Sequence, residues 1–214
     1  MNDELRYLVI EGPIGVGTTT LAERIADHMG YDLALDPHDE NPYLERFYAE
    51  PSRHALPTQL AFLRARLEHQ KRLARVRDTG VVSDYLFARD EIFAQLTLTD
   101  EEYELYEYFV EQIRPQPPAP DLVVYLQASA ETLLARINRR GRSFEANIPL
   151  EYLQKLSEVY NQFFFHYSET PLLVINTTEI DFQSSEVELK YLMEEIHRTR
   201  VGTRYYTASV TNGD

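Results

Sequence analysis

Gly12-Pro-Ile-Gly-Val-Gly17-Thr18-Thr19 constrains this chain more than any other stretch. It matches the phosphate-loop pattern G-x-x-x-x-G-K-[ST] at both glycines and at Thr19, with threonine at position 18 in place of the lysine. Such a loop works between a buried strand and a helix. Its backbone N–H groups wrap phosphate oxygens, and the helix N-terminus adds a favourable dipole. Both neighbours are present: Tyr7-Leu-Val-Ile10 is an apolar run, and Thr18–Met29 carries Leu21, Ile25 and Met29 at helical spacing before Gly30. Gly12, Gly15, Val16, Gly17, Thr18, Thr19 and Thr20 are therefore the candidate cofactor-binding residues, for the phosphates of a nucleotide. The other reading is a structural turn that keeps its glycines for backbone geometry. The strand–loop–helix order favours phosphate binding. In this loop class the lysine reaches the outer phosphates and the Ser/Thr hydroxyl binds magnesium, so binding and phosphoryl transfer become separate questions.

Four more apolar runs, at 33–35, 81–84, 122–126 and 172–175, read as strands. Helical patterns fill 41–48, 58–77, 87–96, 100–114, 130–139, 150–167 and 186–198. This alternation predicts an α/β fold: a five-stranded parallel sheet, right-handed crossovers and helices on both faces. Pro115-Gln-Pro-Pro-Ala-Pro120 reads as a stiff loop, too short for a linker. Residues 1–198 are thus read as one domain and the weakly patterned 199–214 as a C-terminal tail. Ligands of such sheets sit at the carboxyl ends of the strands, where the glycine loop, Asp36 and Asp84 converge.

Length and composition remove several classes. The 214 residues, 43% of them hydrophobic, suffice for a full core. A net charge of −14 argues against a nucleic-acid partner, which needs a basic footprint. The absence of cysteine rules out disulfides, thiolate metal sites and cysteine nucleophiles, and suits a reducing cytosol. No apolar run approaches the roughly 20 residues of a membrane helix, and Asn2-Asp3-Glu4 is no signal peptide, so a cytoplasmic location without membrane attachment is expected.

An anionic ligand then requires a locally basic site. Arg136-Ile-Asn-Arg-Arg-Gly-Arg142 places four arginines within seven residues, whereas lysine occurs only at 71, 155 and 190. Any stand-in for the missing loop lysine is therefore expected to be an arginine. Arginine's planar fork matches phosphate oxygens, and a lid near 136–147, bending at Gly141, would clamp a triphosphate and exclude water. A solvated helix end favoured by the dipole is the alternative, and the internal glycine favours the lid. Asp36-Pro37 offers a carboxylate to accept a hydroxyl proton, although on its own the pair reads more readily as a turn. Asp84 reads equally as a magnesium-associated acid or, with Ser83, as a helix cap. His166 has no partners at ligand spacing, so no metal is assigned to it.

These residues resemble the deoxyribonucleoside kinases, specifically the bacterial deoxyadenosine/deoxyguanosine kinase-like group. The matching stretches include Glu11-Gly-Pro-Ile-Gly-Val-Gly17, Asn41-Pro-Tyr-Leu-Glu-Arg-Phe-Tyr48, Pro57-Thr-Gln-Leu60 and Val82-Ser-Asp-Tyr-Leu-Phe-Ala-Arg-Asp90. Further matches are Asp121-Leu-Val-Val-Tyr-Leu-Gln127, Arg140-Gly-Arg142, Tyr160-Asn-Gln-Phe-Phe-Phe-His-Tyr167 and Thr170-Pro-Leu-Leu-Val-Ile-Asn176, in order from about residue 5 to 197. The resemblance implies a P-loop kinase fold, a homodimer, and ATP-dependent phosphorylation of a deoxynucleoside 5′-hydroxyl, purines favoured. By position, it implies Asp36 as the general base, where the family usually has glutamate. Gln59, Arg66 and Asp90 would read the base, and Tyr48 and Glu145 would hold the sugar 3′-hydroxyl. Thr19 and Asp84 would serve Mg2+, Arg136 and Arg140 would act as catalytic lid residues, and Arg142 would contact the nucleotide.

Three departures stand out. Asp84-Tyr85-Leu86 replaces the acid-Arg-Ser of many members, a trait of the subgroup. Asp36 is one methylene shorter than glutamate, and a misplacement near 1 Å can cost about a hundredfold in rate. Thr18 removes a charge that, by analogy with oxyanion donors, is worth about 3–4 kcal/mol. The primary reading is an active kinase in which arginines and magnesium compensate for Thr18. The alternatives are a non-catalytic nucleoside- or nucleotide-binding protein and, more weakly, a nucleoside monophosphate kinase using Arg53 or Arg89 for an acceptor phosphate. Retention of the other polar site residues favours the first.

Overall fold

The computed structural model describes residues 5–76, 79–113, 116–180 and 185–206. Its strands are β1 (Tyr7–Glu11), β2 (Asp32–Ala34), β3 (Val81–Ser83), β4 (Leu122–Gln127), β5 (Leu172–Asn176) and β6 (Thr203–Tyr206). Its helices are α1 (Thr18–Met29), α2 (Leu44–Ala49), α3 (Pro51–Val76), α4 (Arg89–Thr97), α5 (Asp100–Ile113), α6 (Ala130–Arg140), α7 (Leu150–His166) and α8 (Glu186–Arg198). The sheet order is β2-β3-β1-β4-β5-β6, and every neighbouring pair is parallel.

The two side-chain parities of the central strands explain the layers. Leu8 and Ile10 of β1, with Val124 and Leu126 of β4, pack on Leu21 and Ile25 of α1, Leu133 and Ile137 of α6, and Leu192 and Ile196 of α8. Tyr7 and Val9, with Val123 and Tyr125, pack on the opposite face with Leu73 of α3, Ile92 of α4, and Leu156, Tyr160 and Phe164 of α7. A strand covered on both sides reads as a continuous apolar run, which is why these strands were legible.

The sheet has six strands where the apolar pattern predicts five. Thr203–Tyr206 pairs with β5 through Leu172↔Thr203 to Ile175↔Tyr206, so these residues of the expected tail join the sheet edge. Its side chains are mostly exposed, and backbone pairing rather than burial makes the strand, so hydrophobic patterning carries no signal for it. Residues 207–214 lie outside the described residues, as do residues 1–4, the expected helix ends at Arg77 and Arg114, and Pro115 of the stiff loop. α3 begins at Pro51 rather than near Thr58 and contains Pro57. Proline normally marks a first turn, so it misplaces this boundary. Among the described residues no helix is long and apolar enough to cross a membrane.

Candidate active site

At the carboxyl end of β1 the chain turns into the glycine loop. Gly15 has φ 86°, and a Cβ there would lie 2.8 Å from both the Leu133 carbonyl oxygen and Ile137 Cγ1. The loop is therefore pressed against α6, an approach only glycine permits. Gly17, φ 104°, precedes α1 in the left-handed region without a side-chain cap. The loop and the first turn of α1, including Thr18, Thr19 and Thr20, line a cleft of about 900 Å³.

The same cleft gathers most of the candidates. Thr19 Oγ1 donates to Asp84 Oδ2 at 2.5 Å, and Asp84 Oδ1 accepts from the Asp36 backbone N–H at 2.7 Å. This second bond locks the end of β3 to the loop after β2. Asp36, Arg66, Gln59 and Tyr48 line the cleft, as do Arg136, Arg140, Arg142 and Glu145. Asp90 is not on the cleft wall. It lies behind Arg66, whose Nη1 donates to Asp90 Oδ1 at 2.7 Å.

A chain of buried charges runs through the site. Arg66 grips Asp36 through two bonds of 2.8 Å, and Arg89 Nη1 donates to Asp36 Oδ2 at 3.1 Å. Arg89 Nη2 also pairs with Glu11 Oε1 at 2.5 Å. Glu11 in turn accepts from the Gly12 N–H at 2.7 Å and the Leu86 N–H at 2.6 Å, and from the Tyr160 hydroxyl at 3.1 Å. The order Glu11–Arg89–Asp36–Arg66–Asp90 alternates in sign, the arrangement buried charges require. Burial by itself raises the Asp36 pKa, but Arg66, then Arg89, outweigh it and hold the carboxyl far below the usual carboxylate range.

Glu11 and Arg89 are the members that reading the residues left without these roles. The available signal for Glu11 was an acid closing an otherwise apolar strand at the edge that binds ligands. Arg89, weighed as an acceptor-phosphate arginine, is instead committed to Glu11 and Asp36. Arg53, weighed likewise, is outside the cleft lining and sits 3.7 Å from Glu50 on the surface.

The remaining parts form two corners. Glu145 is buried, pairs with Arg140 at 2.6 Å and lies 3.6 Å from Arg142. Tyr48 stacks on Phe144, centroids 5.8 Å apart, and burial followed by the Glu145 charge raises its pKa. At the other corner Gln59 Nε2 donates to Thr97 Oγ1 at 3.0 Å, while its Oε1 has no partner among the described residues. Phe62 and Phe93 supply apolar walls. Arg136 bonds the Val16 carbonyl at 3.1 Å and the Thr177 carbonyl at 2.7 Å, tying α6 to the glycine loop.

Asp90 gives the site a pH signature. Burial, only partly opposed by Arg66, pushes its pKa up to about 6. An unfolded aspartate titrates near 3.9, so between about pH 4 and 6 the native chain holds a proton that the unfolded chain has lost. The stabilising contribution of this group is full below about pH 4 and disappears as pH rises through about 6. Urea unfolding from pH 4 to 7 should show that decline flattened in Asp90→Asn. Parallel curves for the two proteins would exclude Asp90 as its source.

Known proteins are similar to this chain. The family model described as Deoxynucleoside kinase matches residues 8–201. The chain is 34% identical over 157 residues to a deoxyguanosine kinase of Bacillus subtilis (strain 168), covering 72% of this chain and 76% of that protein. It is 27% identical to a deoxyadenosine/deoxycytidine kinase of the same organism, over 88% of this chain and 90% of the relative. The structure of a deoxyadenosine kinase from M. mycoides with bound dATP superposes with a TM-score of 0.80 at 26% identity, covering 89% of this chain and 98% of that one. With this glycine loop and these buried carboxylates lining one cleft, the chain belongs to the deoxynucleoside kinase family.

Proposed function

We propose that this chain transfers the γ-phosphoryl group of ATP to the 5′-hydroxyl of a deoxynucleoside, preferring purines, with Mg2+. The carrying observation is one cleft lined together by the glycine loop, Asp36, Gln59 and Arg66. In the step, the 5′-oxygen bonds to the γ-phosphorus and the bond to the β-bridging oxygen breaks, its electron pair leaving with ADP. The hydroxyl proton passes to Asp36. Because the flanking arginines weaken Asp36 as a base, the proton moves late, once bond formation has made the hydroxyl acidic. Earlier in the step Asp36 orients the hydroxyl.

The donor set suits a hard cation. Thr19 Oγ1 and Asp84 Oδ2 are adjacent oxygens beside the phosphate loop. Among the described residues no group of three or more His, Cys, Asp or Glu is placed to hold a metal ion, so phosphate oxygens and water would complete the shell. When bound, Mg2+ supplies charge neutralisation on the phosphates. Gln59 Oε1, a buried acceptor without a partner among the described residues, supports recognition of an N–H on the base, and Phe62 and Phe93 would sandwich the ring. Glu145 and Tyr48 would hold the 3′-hydroxyl. Arg136, Arg140 and Arg142 belong to a lid that closes over the phosphates. α5 presents Leu105, Phe109 and Ile113 at four-residue spacing, each more than a third exposed, a stripe that supports a homodimer. A reducing cytoplasm suits a chain without cysteine.

The test is phosphate transfer from ATP to a panel of deoxynucleosides by this chain and by Thr18→Lys. Turnover of at least one purine deoxynucleoside is expected, with a gain on supplying the lysine. Nucleoside binding without turnover in either protein would favour the non-catalytic reading.

A further inference from the structure

The glycine loop lacks its lysine, and no lysine lines the cleft. The compensating charge must come from an arginine, and the structure distinguishes among those available. Arg66 and Arg89 are consumed by the buried acids. Arg136 is bonded to Val16 and Thr177, and Arg140 and Arg142 face Glu145. Arg139 is different. It lines the cleft and is exposed, and among the described residues it makes no ion pair.

We propose that Arg139 performs the task of the absent loop lysine, neutralising the outer phosphates of the donor nucleotide beside Thr18. Three features support the placement. Thr132, Ala135, Arg136 and Arg139 line the cleft at the spacing of one helical face of α6. That helix is pressed on the loop at Gly15, through Leu133 and Ile137. Arg139 stands three residues, about 4.5 Å of helix rise, beyond Arg136, whose guanidinium reaches the Val16 carbonyl of the loop. An unpaired, long and rotatable guanidinium at the cleft margin can swing onto phosphate oxygens without breaking an existing ion pair. The family resemblance gives Arg139 no role: it distributes the lid among Arg136, Arg140 and Arg142.

The inference rests on the kinase reading, and a double-mutant cycle separates the two. Steady-state transfer from ATP is measured for the unaltered chain, Arg139→Gln, Thr18→Lys and the Thr18→Lys/Arg139→Gln pair. Arg139→Gln should lower kcat/KM for ATP by about 100-fold in the Thr18 background, and by less than about fivefold once lysine is present. Its melting temperature without nucleotide should match that of the unaltered chain, because no ion pair is lost. An equal fold-loss in both backgrounds would assign Arg139 an ordinary lid contact and overturn the substitution. Turnover indifferent to Arg139 overturns this assignment alone. No turnover from any of the four proteins overturns it together with the kinase reading.

Discussion

Asp36→Asn is expected to lower kcat by about 10²- to 10⁴-fold while deoxynucleoside affinity changes far less. The amide cannot accept the 5′-hydroxyl proton, and its NH2 group would face the Arg66 or Arg89 donors that now surround the carboxylate. Each arginine keeps a second acid, Asp90 for Arg66 and Glu11 for Arg89, so the fold should survive the change. Asp36→Glu keeps the charge and should retain measurable turnover. Single-turnover transfer with calorimetric nucleoside binding separates chemistry from affinity. If Asp36→Asn stayed within tenfold of the unaltered chain, Asp36 would be a structural acid and the base would lie elsewhere.

Arg89→Met should be the most destabilising single change in the site. It leaves Glu11 without its guanidinium partner in the interior and strips one of the two arginines from Asp36. Breaking a buried pair from one side costs about 3–5 kcal/mol, and for a chain of this length each kcal/mol moves the melting temperature by about 2–4 °C. A fall of about 10 °C is expected. Arg89→Lys should recover little, because an ammonium cannot fork between two carboxylates. The pair Glu11→Gln/Arg89→Met should recover much of the loss, since removing both partners leaves no orphan charge. Urea and thermal unfolding of the four proteins form the check. Equal stability of Arg89→Met and the double variant would mean that Glu11 does not depend on Arg89.

Much of the scaffold was legible because central parallel strands and amphipathic helices bury contiguous apolar side chains. β1, β4 and β5 are apolar runs, and α1 spans the residues that its pattern and Gly30 indicate. β6 was not legible, because an exposed edge strand is held by backbone bonds that any side chain permits. In the site the division is similar. The glycine loop announces itself through local geometry at Gly15 and Gly17. Asp36 and Asp84 were placed at the right edge by their positions after strands. The partnership of Glu11 with Arg89, 78 residues apart, has no local signature.

By itself, then, the sequence determined the α/β scaffold, the glycine loop, the threonine where its pattern has lysine and the residue types available to the cleft. Those follow from short-range spacing: strand and helix periodicity, and glycines where the backbone needs φ above zero. Only the tertiary structure decided which charges are spent and which are free. It paired Arg66 and Arg89 with buried acids, set Asp90 behind Arg66, and left Arg139 on the cleft wall without an ion pair among the described residues. A charge cannot be buried alone, so its availability depends on neighbours that the fold brings from distant parts of the chain.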